Sequence, residues 1–382
     1  MPGAWIQNIA MGWLVFRLTD SALILGLVGF ASQIPAFFIT PIAGVFADKL
    51  DRRKVLITTQ AVAMAVALSL AFLILTDRIQ VAHILIGAVV AGVAAAIDNP
   101  FRHAFLVNLL DDRKDLPNAI ALNSTMYNSA RFIGPPIGGF LVAYAGEGMC
   151  FLINGLSYTA VLYSLISMKV PKFVKSTDPY SVVKDLLGGF KYAYTTRHLR
   201  ILLTMVIVIS LVGLPFQVFM PVFAKDILGG DSQTMGFLTG SLGAGALTGA
   251  LLLANRSSIN RFPLTILTSA LMFGTGLGIF TLSGNFYLSA MALVLTGAGM
   301  VVMFAACNTL LQTLVKEDMR GRIVALYSMS FMGFTPIGSM LVGSITEFAG
   351  LQTTLSMAAL LCILIAIWYR GHLKEIKAAV ES

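Results

Sequence analysis

The fold is decided by residues 44–56, which read Gly44-Val45-Phe46-Ala47-Asp48-Lys49-Leu50-Asp51-Arg52-Arg53-Lys54-Val55-Leu56. This stretch concentrates charged side chains between two long apolar runs. In the whole chain 57% of the residues are hydrophobic and only 12% are charged. So dense a polar cluster is typical of a tight turn between two membrane-spanning helices.

Composition excludes an ordinary soluble domain, in which about one quarter of the residues are charged. The mean hydropathy of the 382 residues is +0.84. Apolar runs of about 20 residues, each long enough to cross a bilayer, predict an all-α polytopic membrane protein. Eleven such spans are predicted to begin near Ala22, Val55, Val81, Asn118, Met149, Leu199, Ser232, Leu264, Phe286, Ile323 and Leu351.

A shorter apolar run precedes these spans, from Trp5 to Phe16. At ~1.5 Å per residue a helix of this length reaches only about 18 Å, which is less than the ~30 Å of a hydrocarbon core. We therefore expect this chain to lack the front half of its first helix. No basic region precedes the run, which argues against a signal peptide.

Positive charge is distributed unevenly among the loops. Lys and Arg crowd one alternate set of loops, beginning with residues 49–54, whereas the other set holds Arg17, Arg78 and Lys225. The positive-inside rule predicts that the crowded side is cytoplasmic, together with the C-terminus. The formal net charge of +8 is thereby explained without nucleic acid as a partner.

The predicted organisation has four parts. Residues 1–168 form an N-terminal transmembrane half, 169–198 a cytoplasmic linker with an interfacial helix, 199–370 a C-terminal transmembrane half, and 371–382 a cytoplasmic tail. The halves resemble each other, because Pro136-Ile137-Gly138 in the fifth span matches Pro336-Ile337-Gly338 in the eleventh. Such a repeat predicts two pseudo-symmetric six-helix bundles with a site between them at mid-depth.

Residues 44–56 resemble the loop between helices 2 and 3 of the major facilitator superfamily, roughly G-x-L-A-D-R-x-G-R-K-x-x-L. Gly44, Ala47, Asp48, Arg52 or Arg53, Lys54 and Leu56 fall on matching positions, whereas Phe46 and Asp51 depart from the pattern. The resemblance implies a gating charge relay at the inner face, for which the candidates are Gly44, Asp48, Arg52, Arg53 and Asp98. The alternative is a solvated loop that only sets topology.

The fifth span carries a second motif, Gly134-Pro135-Pro136-Ile137-Gly138-Gly139. It resembles the core of the motif found in exporters of the superfamily, whose two upstream glycines are here Ala121 and Ala130. Small residues let helices approach closely, and proline bends a helix, so that one end of a cavity can seal. The candidate residues of this exporter motif are Ala121, Ala130, Gly134, Pro135, Gly138 and Gly139.

Two charged side chains fall within the predicted spans, where each is costly unless it is paired or faces water. We expect Asp98, near the inner end of the fourth span, to pair with Arg52 or Arg53. Arg131 either binds an anionic substrate or tunes a titrating acid, or it is a structural charge paired with backbone carbonyls.

Few other polar residues lie within the spans. A cavity built from these and from abundant Phe and Met suits large amphipathic compounds. The candidates for substrate or coupling contacts are Arg131, Gln33, Tyr127, Asn128, Gln217 and Asn308. The sequence predicts no cofactor and no metal site, because its four histidines are scattered and its three cysteines lie far apart in apolar runs. It also has no phosphate-binding G-x-x-x-x-G-K-[ST] loop.

Three further segments, around Trp13–Thr19, Asp98–Arg102 and Met319–Arg322, resemble the bacterial branch that contains the enterobactin exporter and the macrolide efflux proteins. The resemblance implies a non-enzymatic secondary exporter of the bacterial inner membrane, with protons as the coupling ion and a siderophore or drug as substrate. We expect a monomer. The alternative is a truncated or non-transporting relative that acts as a membrane assembly or sensing partner.

Overall fold

A computed structural model describes residues 2–47, 49–108, 116–168, 182–255 and 259–381. Within these ranges the chain is helical and contains no strand, as expected for segments that must satisfy their backbone hydrogen bonds inside lipid. The N-terminal helices are α1 (Pro2–Thr19), α2 (Ala22–Phe46), α3 (Arg52–Leu75), α4 (Val81–Asn108) and α5 (Leu116–Ser167). The all-α membrane fold predicted from composition is confirmed.

The remaining helices follow in chain order. They are α6 (Val182–Thr195), α7 (Arg197–Ile227), α8 (Ser232–Ala254), α9 (Phe262–Leu282), α10 (Phe286–Leu314), α11 (Glu317–Ala349), α12 (Leu351–Gly371) and α13 (Leu373–Glu381). Helix α1 extends beyond the Trp5–Phe16 run at both ends. Among the described residues, ten helices are long and apolar enough to cross a membrane. One of these ten is α5, which contains two of the eleven predicted spans.

Glycine joins consecutive spans without a loop at two places. Helix α5 is interrupted at Gly146, which has φ 78° and ψ 167°, and so consists of segments 116–145 (α5a) and 147–167 (α5b). Gly350, with φ 77° and ψ 154°, joins α11 directly to α12. This backbone region is essentially restricted to glycine. The two halves therefore make the same junction at corresponding places.

Helix α7 is irregular in its second half. An α-helical start, Arg197–Val208, is followed by a π-helical turn at Ile209–Gly213 and a 3-10 segment at Leu214–Phe219. A second π-helical turn, Phe223–Ile227, ends the span. Pro215 and Pro221 lie between the two π turns and cannot donate backbone hydrogen bonds, which explains the loss of regular α geometry.

The two halves pack against each other through α2 with α11 and α5a with α8. A Cβ atom added to Gly26 of α2 would lie 2.5 Å from the carbonyl oxygen of Ser339 in α11, so these backbones are in direct contact. We call the end of the bundle that carries the α2–α3 loop the basic face, and the end that carries residues 20–21 and 76–80 the opposite face. The close contacts between the halves run from the opposite face to mid-depth.

Two short helices lie at the basic face. Helix α6 lies within residues 169–198, and its Gly189 packs on Arg322 and Leu326 of α11. The C-terminal tail forms α13, in which Ile376 is buried. Glu375 of α13 makes an ion pair of 3.1 Å with Arg197 at the start of α7. Both short helices are thereby attached to the C-terminal half.

Candidate functional site

The α2–α3 loop is held by its own acidic residue. Asp51 is the N-cap of α3, and its side chain accepts hydrogen bonds from the backbone N–H groups of Arg53 and Lys54. Capping satisfies donors that the first turn of a helix leaves without partners. The departure from the family pattern at this position thus supplies a helix cap. Gly44 lies in the last turn of α2, with nothing within 4 Å of an added Cβ atom, and Asp48 lies outside the described residues.

Arg52 and Arg53 connect this loop to two other helices of the N-terminal half. Arg52 donates to the carbonyl oxygens of Ala47, at 2.8 Å, and of Ala104 in α4, at 3.1 Å. Arg53 donates to the carbonyl oxygens of Leu165, at 2.7 Å, and of Ile166, both in the last turn of α5b. The Arg53 guanidinium thus satisfies carbonyls that the end of α5b leaves unpaired.

Asp98 of α4 is a buried acid of the N-terminal half, with 6% of its surface exposed. One carboxylate oxygen accepts from Thr59 at 2.9 Å and from Gln60 at 2.8 Å, both in α3. The other makes an ion pair of 2.7 Å with Arg102, one turn further along α4. The expected pairing of Asp98 with Arg52 or Arg53 is therefore wrong. Arg53 donates to the end of α5b, Arg52 donates to the carbonyls of Ala47 and Ala104, and Arg102 lies within reach of Asp98 on the same helix face.

A polar cavity of about 580 Å³ surrounds this acid inside the N-terminal half. It lies between α1, α3, α4 and α5, and its polar lining residues include Gln7, Asn8, Asn99, Asn123, Asn154 and Tyr158. Gln7 of α1 accepts a hydrogen bond of 2.6 Å from Asn154 of α5b. The cavity gives Asp98 and Arg102 a hydrogen-bonding environment at a depth where lipid would supply none.

The exporter motif lies where three helices cross near the opposite face. A Cβ atom at Gly138 would lie 3.1 Å from the Cα atom of Ile6 in α1, and one at Gly139 would collide with the carbonyl oxygen of Ser232 in α8. The Ser232 hydroxyl donates to the Gly139 carbonyl at 3.1 Å. Ala130, Gly134 and Pro135 are buried, and the side chain of Ala121 lies outside the description. The motif therefore permits helix contact both within the N-terminal half and between the halves.

The candidate substrate residues are not gathered at one point. Gln33 donates to the Gly29 carbonyl at 3.4 Å, within α2, and Gln217 of α7 lies 3.8 Å from the sulfur of Met300 in α10. The guanidinium of Arg131 lies over the Trp5 ring, 5.9 Å from its centroid, and so faces α1. The side chains of Tyr127 and Asn128 lie outside the described part of the chain.

Asn308 belongs to a pair that resembles the Asp98 pair. Its side-chain oxygen accepts a hydrogen bond of 3.1 Å from Gln312, one turn along α10. Asp98 and Arg102 have the same four-residue spacing near the corresponding end of α4. The N-terminal half therefore has an ion pair where the C-terminal half has two neutral amides. The spacing is visible in the sequence, but an assignment of Asp98 to the loop arginines overlooks it.

Comparison with known proteins places these features in a family. A family model described as "Transmembrane secretion effector" matches residues 2–382. The staphyloferrin A transporter of Staphylococcus aureus is 25% identical over 383 residues, which cover 100% of this chain and 95% of that protein. The multidrug efflux pump Tap of Mycolicibacterium fortuitum is 25% identical, with coverage of 99% and 94%. Macrolide efflux protein A of Streptococcus pyogenes is 22% identical, with coverage of 95% and 90%.

Solved structures show the same fold at low sequence identity. A point mutant of the nucleoside transporter NupG superposes with a TM-score of 0.73 at 15% identity, covering 97% of this chain and 98% of that one. A bacterial homologue of the human lysosomal transporter Spinster, inward-facing and unoccupied, also gives 0.73, at 12% identity and with coverage of 99% and 95%. These likenesses concern the fold alone.

Proposed function

Because the chain belongs to the transmembrane secretion effector family of major facilitator transporters, we propose that it exports amphipathic small molecules by alternating access. The protein is a multi-pass membrane transporter and not an enzyme. The relatives with efflux names support the direction of transport. Siderophores and drugs such as macrolides are the proposed substrates.

The observation that carries the proposal is the contact between Gly139 of α5a and Ser232 of α8. It brings the exporter motif to the crossing of the two halves, near the opposite face. Backbones that touch through glycine can seal this end of a central passage against water and ions. An exporter needs such a seal while it loads substrate from the other side.

We further propose that protons are the coupling ion. In support, Asp98 is a buried carboxylate whose ion pair with Arg102 would be lost on protonation. Loss of that ion pair would free a guanidinium inside the polar cavity and so change the relative stability of the two access states. The proposed assembly is a monomer in the bacterial inner membrane, with the basic face and the C-terminus in the cytoplasm.

The transport test measures accumulation in cells that lack their own efflux pumps. Expression of the chain should lower the accumulation of at least one compound in a panel of macrolides and siderophores. The variant Gly139→Leu should abolish the effect, because its side chain would force α5a away from α8. The control is Gly321→Ala, since nothing lies within 4 Å of a Cβ atom at Gly321. Increased accumulation, or equal activity in both variants, would contradict the proposal.

Proton coupling has its own readout. Everted membrane vesicles that carry the protein and an internal pH dye should lose protons from their lumen when an exported compound is added. The response should vanish in Asp98→Asn vesicles that insert the protein normally. Export without any proton movement would reject the coupling ion and leave the export proposal intact.

A further inference from the structure

A salt bridge at the opposite face joins the two halves of the protein. The Nζ atom of Lys225, at the end of α7, lies 3.0 Å from a carboxylate oxygen of Asp20, which follows α1. A second ion pair on this face, Arg17 with Glu147 at 2.7 Å, links α1 to α5b and so remains within the N-terminal half. Both ion pairs lie at the opposite face, but only the Asp20–Lys225 pair of these two connects the N-terminal half to the C-terminal half.

Two further contacts reinforce the junction between α1 and α7. The Lys225 ammonium group lies over the Phe16 ring, 4.9 Å from its centroid, which is within the range of a cation–π interaction. One turn before Lys225, the ring of Pro221 faces Gly12 of α1, where an added Cβ atom would be in ordinary van der Waals contact with the proline Cγ at 3.4 Å. The junction thus consists of the Asp20–Lys225 ion pair, the cation–π contact with Phe16 and the helix contact at Gly12.

The backbone is unusual on both sides of the ion pair. Asp20 has φ 46°, a left-handed conformation that residues other than glycine seldom adopt. Lys225 lies in the π-helical turn Phe223–Ile227. Such irregular geometry is frequent at functional sites and switch regions. Here it brings together two side chains from helices that belong to different halves.

A cavity of about 630 Å³ lies beside the junction at the opposite face. It is lined by Phe16 and Asp20, by Asp226 of α7, and by Glu347 and Gln352 from the α11–α12 region. Two residues of the junction, Phe16 and Asp20, thus form part of the wall of this outer space. Opening of the face requires α1 and α7 to part, and the ion pair must then break.

We propose that Asp20, Lys225 and Phe16 form a latch that holds the opposite face closed and opens once in each transport cycle. The side chains of Lys225 and Asp20 are 45% and 74% exposed, so water competes for both charges. An exposed pair of this kind is weak, which suits a contact that must break repeatedly. The inference rests on the proposed alternating-access transport.

The test measures how often the opposite face opens, without any substrate. Val218 of α7 packs on Gly29 of α2, between the two halves and further from the opposite face than Lys225. The reporter is Val218→Cys, labelled with a membrane-impermeant thiol reagent added on the side from which Arg78→Cys reacts. The native residues Cys150, Cys307 and Cys362 are buried and give a low background. The labelling rate reports the fraction of time that the face is open.

Asp20→Asn and Lys225→Gln should each raise the labelling rate of the reporter about fivefold, which corresponds to ~1 kcal/mol. Phe16→Leu should raise it less. The reversed pair Asp20→Lys with Lys225→Asp should return the rate to within twofold of the parent. The matched controls Arg17→Gln and Glu147→Gln, from the pair within one half, should also stay within twofold.

An unchanged rate in Asp20→Asn, or an equal increase in Arg17→Gln, would overturn the latch. Labelling of Arg78→Cys in every background verifies that the protein is inserted. If a single variant fails to insert, the labelling rate of the reversed pair tests the latch in its place. Because labelling needs no transported compound, a latch effect without export would reject the proposed function alone. Export without a latch effect would reject the latch alone.

Discussion

At the scale of single residues, the loop arginines act mainly on helix ends. The last four carbonyl groups of a helix have no partners within it, and lipid offers none. Arg53 supplies donors to two of these groups at the end of α5b, and Arg52 supplies donors to the carbonyls of Ala47, which caps α2, and of Ala104 in α4. The basic loop therefore connects helices α3, α4 and α5b of the N-terminal half.

Arg53→Ala should lower the free energy of unfolding by about 2 kcal/mol, because it leaves the carbonyls of Leu165 and Ile166 without donors. The neighbouring variant Lys54→Ala is the control. The Lys54 side chain is 84% exposed, and its ion pair with Asp51 is long, at 4.0 Å. Its loss should therefore change the free energy of unfolding by no more than about 0.5 kcal/mol. Thermal denaturation in detergent measures both. Equal effects would show that the loop contributes charge alone.

Asp98→Ala should cost about 2–3 kcal/mol of stability, since Gln60 and Arg102 would lose their acceptor and Thr59 would keep only the Leu56 carbonyl. The double variant with Arg102→Met should cost less than the sum of the two single variants, by ~1 kcal/mol or more. The control is the double variant Arg52→Met with Asp98→Ala, in which the stability losses of the two single variants should add. Strict additivity in the first pair would contradict the ion pair.

That Asp98 has a basic partner was predictable from the sequence, because an acid near the end of an apolar span has to be paired. Its partner was predicted wrongly. Arg52 and Arg53 are predicted to lie at the same end of the bundle as Asp98. The sequence does not reveal that their guanidinium groups donate to backbone carbonyls instead. The four-residue spacing to Arg102 was the available signal, since residues so spaced share a helix face.

At the scale of helices, the junctions at Gly146 and Gly350 are the most constrained elements. Nothing lies within 4 Å of a Cβ atom added to either glycine, so steric space does not limit them. Their backbone angles do, because side chains other than hydrogen are strained there. Each junction turns the chain back into the membrane without a connecting loop.

Gly146→Ala and Gly350→Ala should each destabilise the protein by about 1–3 kcal/mol through backbone strain. Gly321→Ala is the control, because its Cβ atom would also meet nothing while its backbone is helical. That variant should be neutral or stabilising by about 0.5–1 kcal/mol. Melting temperatures of the three purified variants test the difference. Similar behaviour of all three would contradict the strained junctions.

The spans themselves were predictable, since apolar runs of sufficient length have few alternatives to a membrane helix. The second half of α7 was less so. Pro215 and Pro221 indicate that the helix is irregular, but the sequence does not specify where the π-helical turns form. Gly138 and Gly139 of the exporter motif contact α1 and α8 closely. The partner of Gly139, Ser232 of α8, lies in the other half and could not be identified from the motif alone.

At the scale of the whole molecule, the halves are sealed near the opposite face. One sequence must encode both access states of an alternating-access transporter, so patterns along the chain cannot tell which state a structure will show. The two-half architecture was foreseeable from the repeated Pro-Ile-Gly motif. The Asp20–Lys225 contact was not, because its residues are distant in sequence and lie in short turns.

Membrane orientation yields a prediction for the complete molecule. Lys54→Cys and Lys316→Cys should react with an impermeant thiol reagent only from the cytoplasmic side, because Lys and Arg crowd that face. Arg78→Cys and Gly284→Cys should react only from outside, and all four positions are exposed. Comparing intact cells with everted vesicles gives the assignment. Reaction of Lys54→Cys and Arg78→Cys from the same side would contradict the topology.

The junctions at Gly146 and Gly350 have a practical consequence as well. Each leaves too little chain outside the bilayer for a protease to grip or for an epitope tag to be accepted. Digestion of intact cells should therefore spare both and nick the longer turns instead. A protein cut in that way would retain α5a with α5b, and α11 with α12, as covalently continuous hairpins.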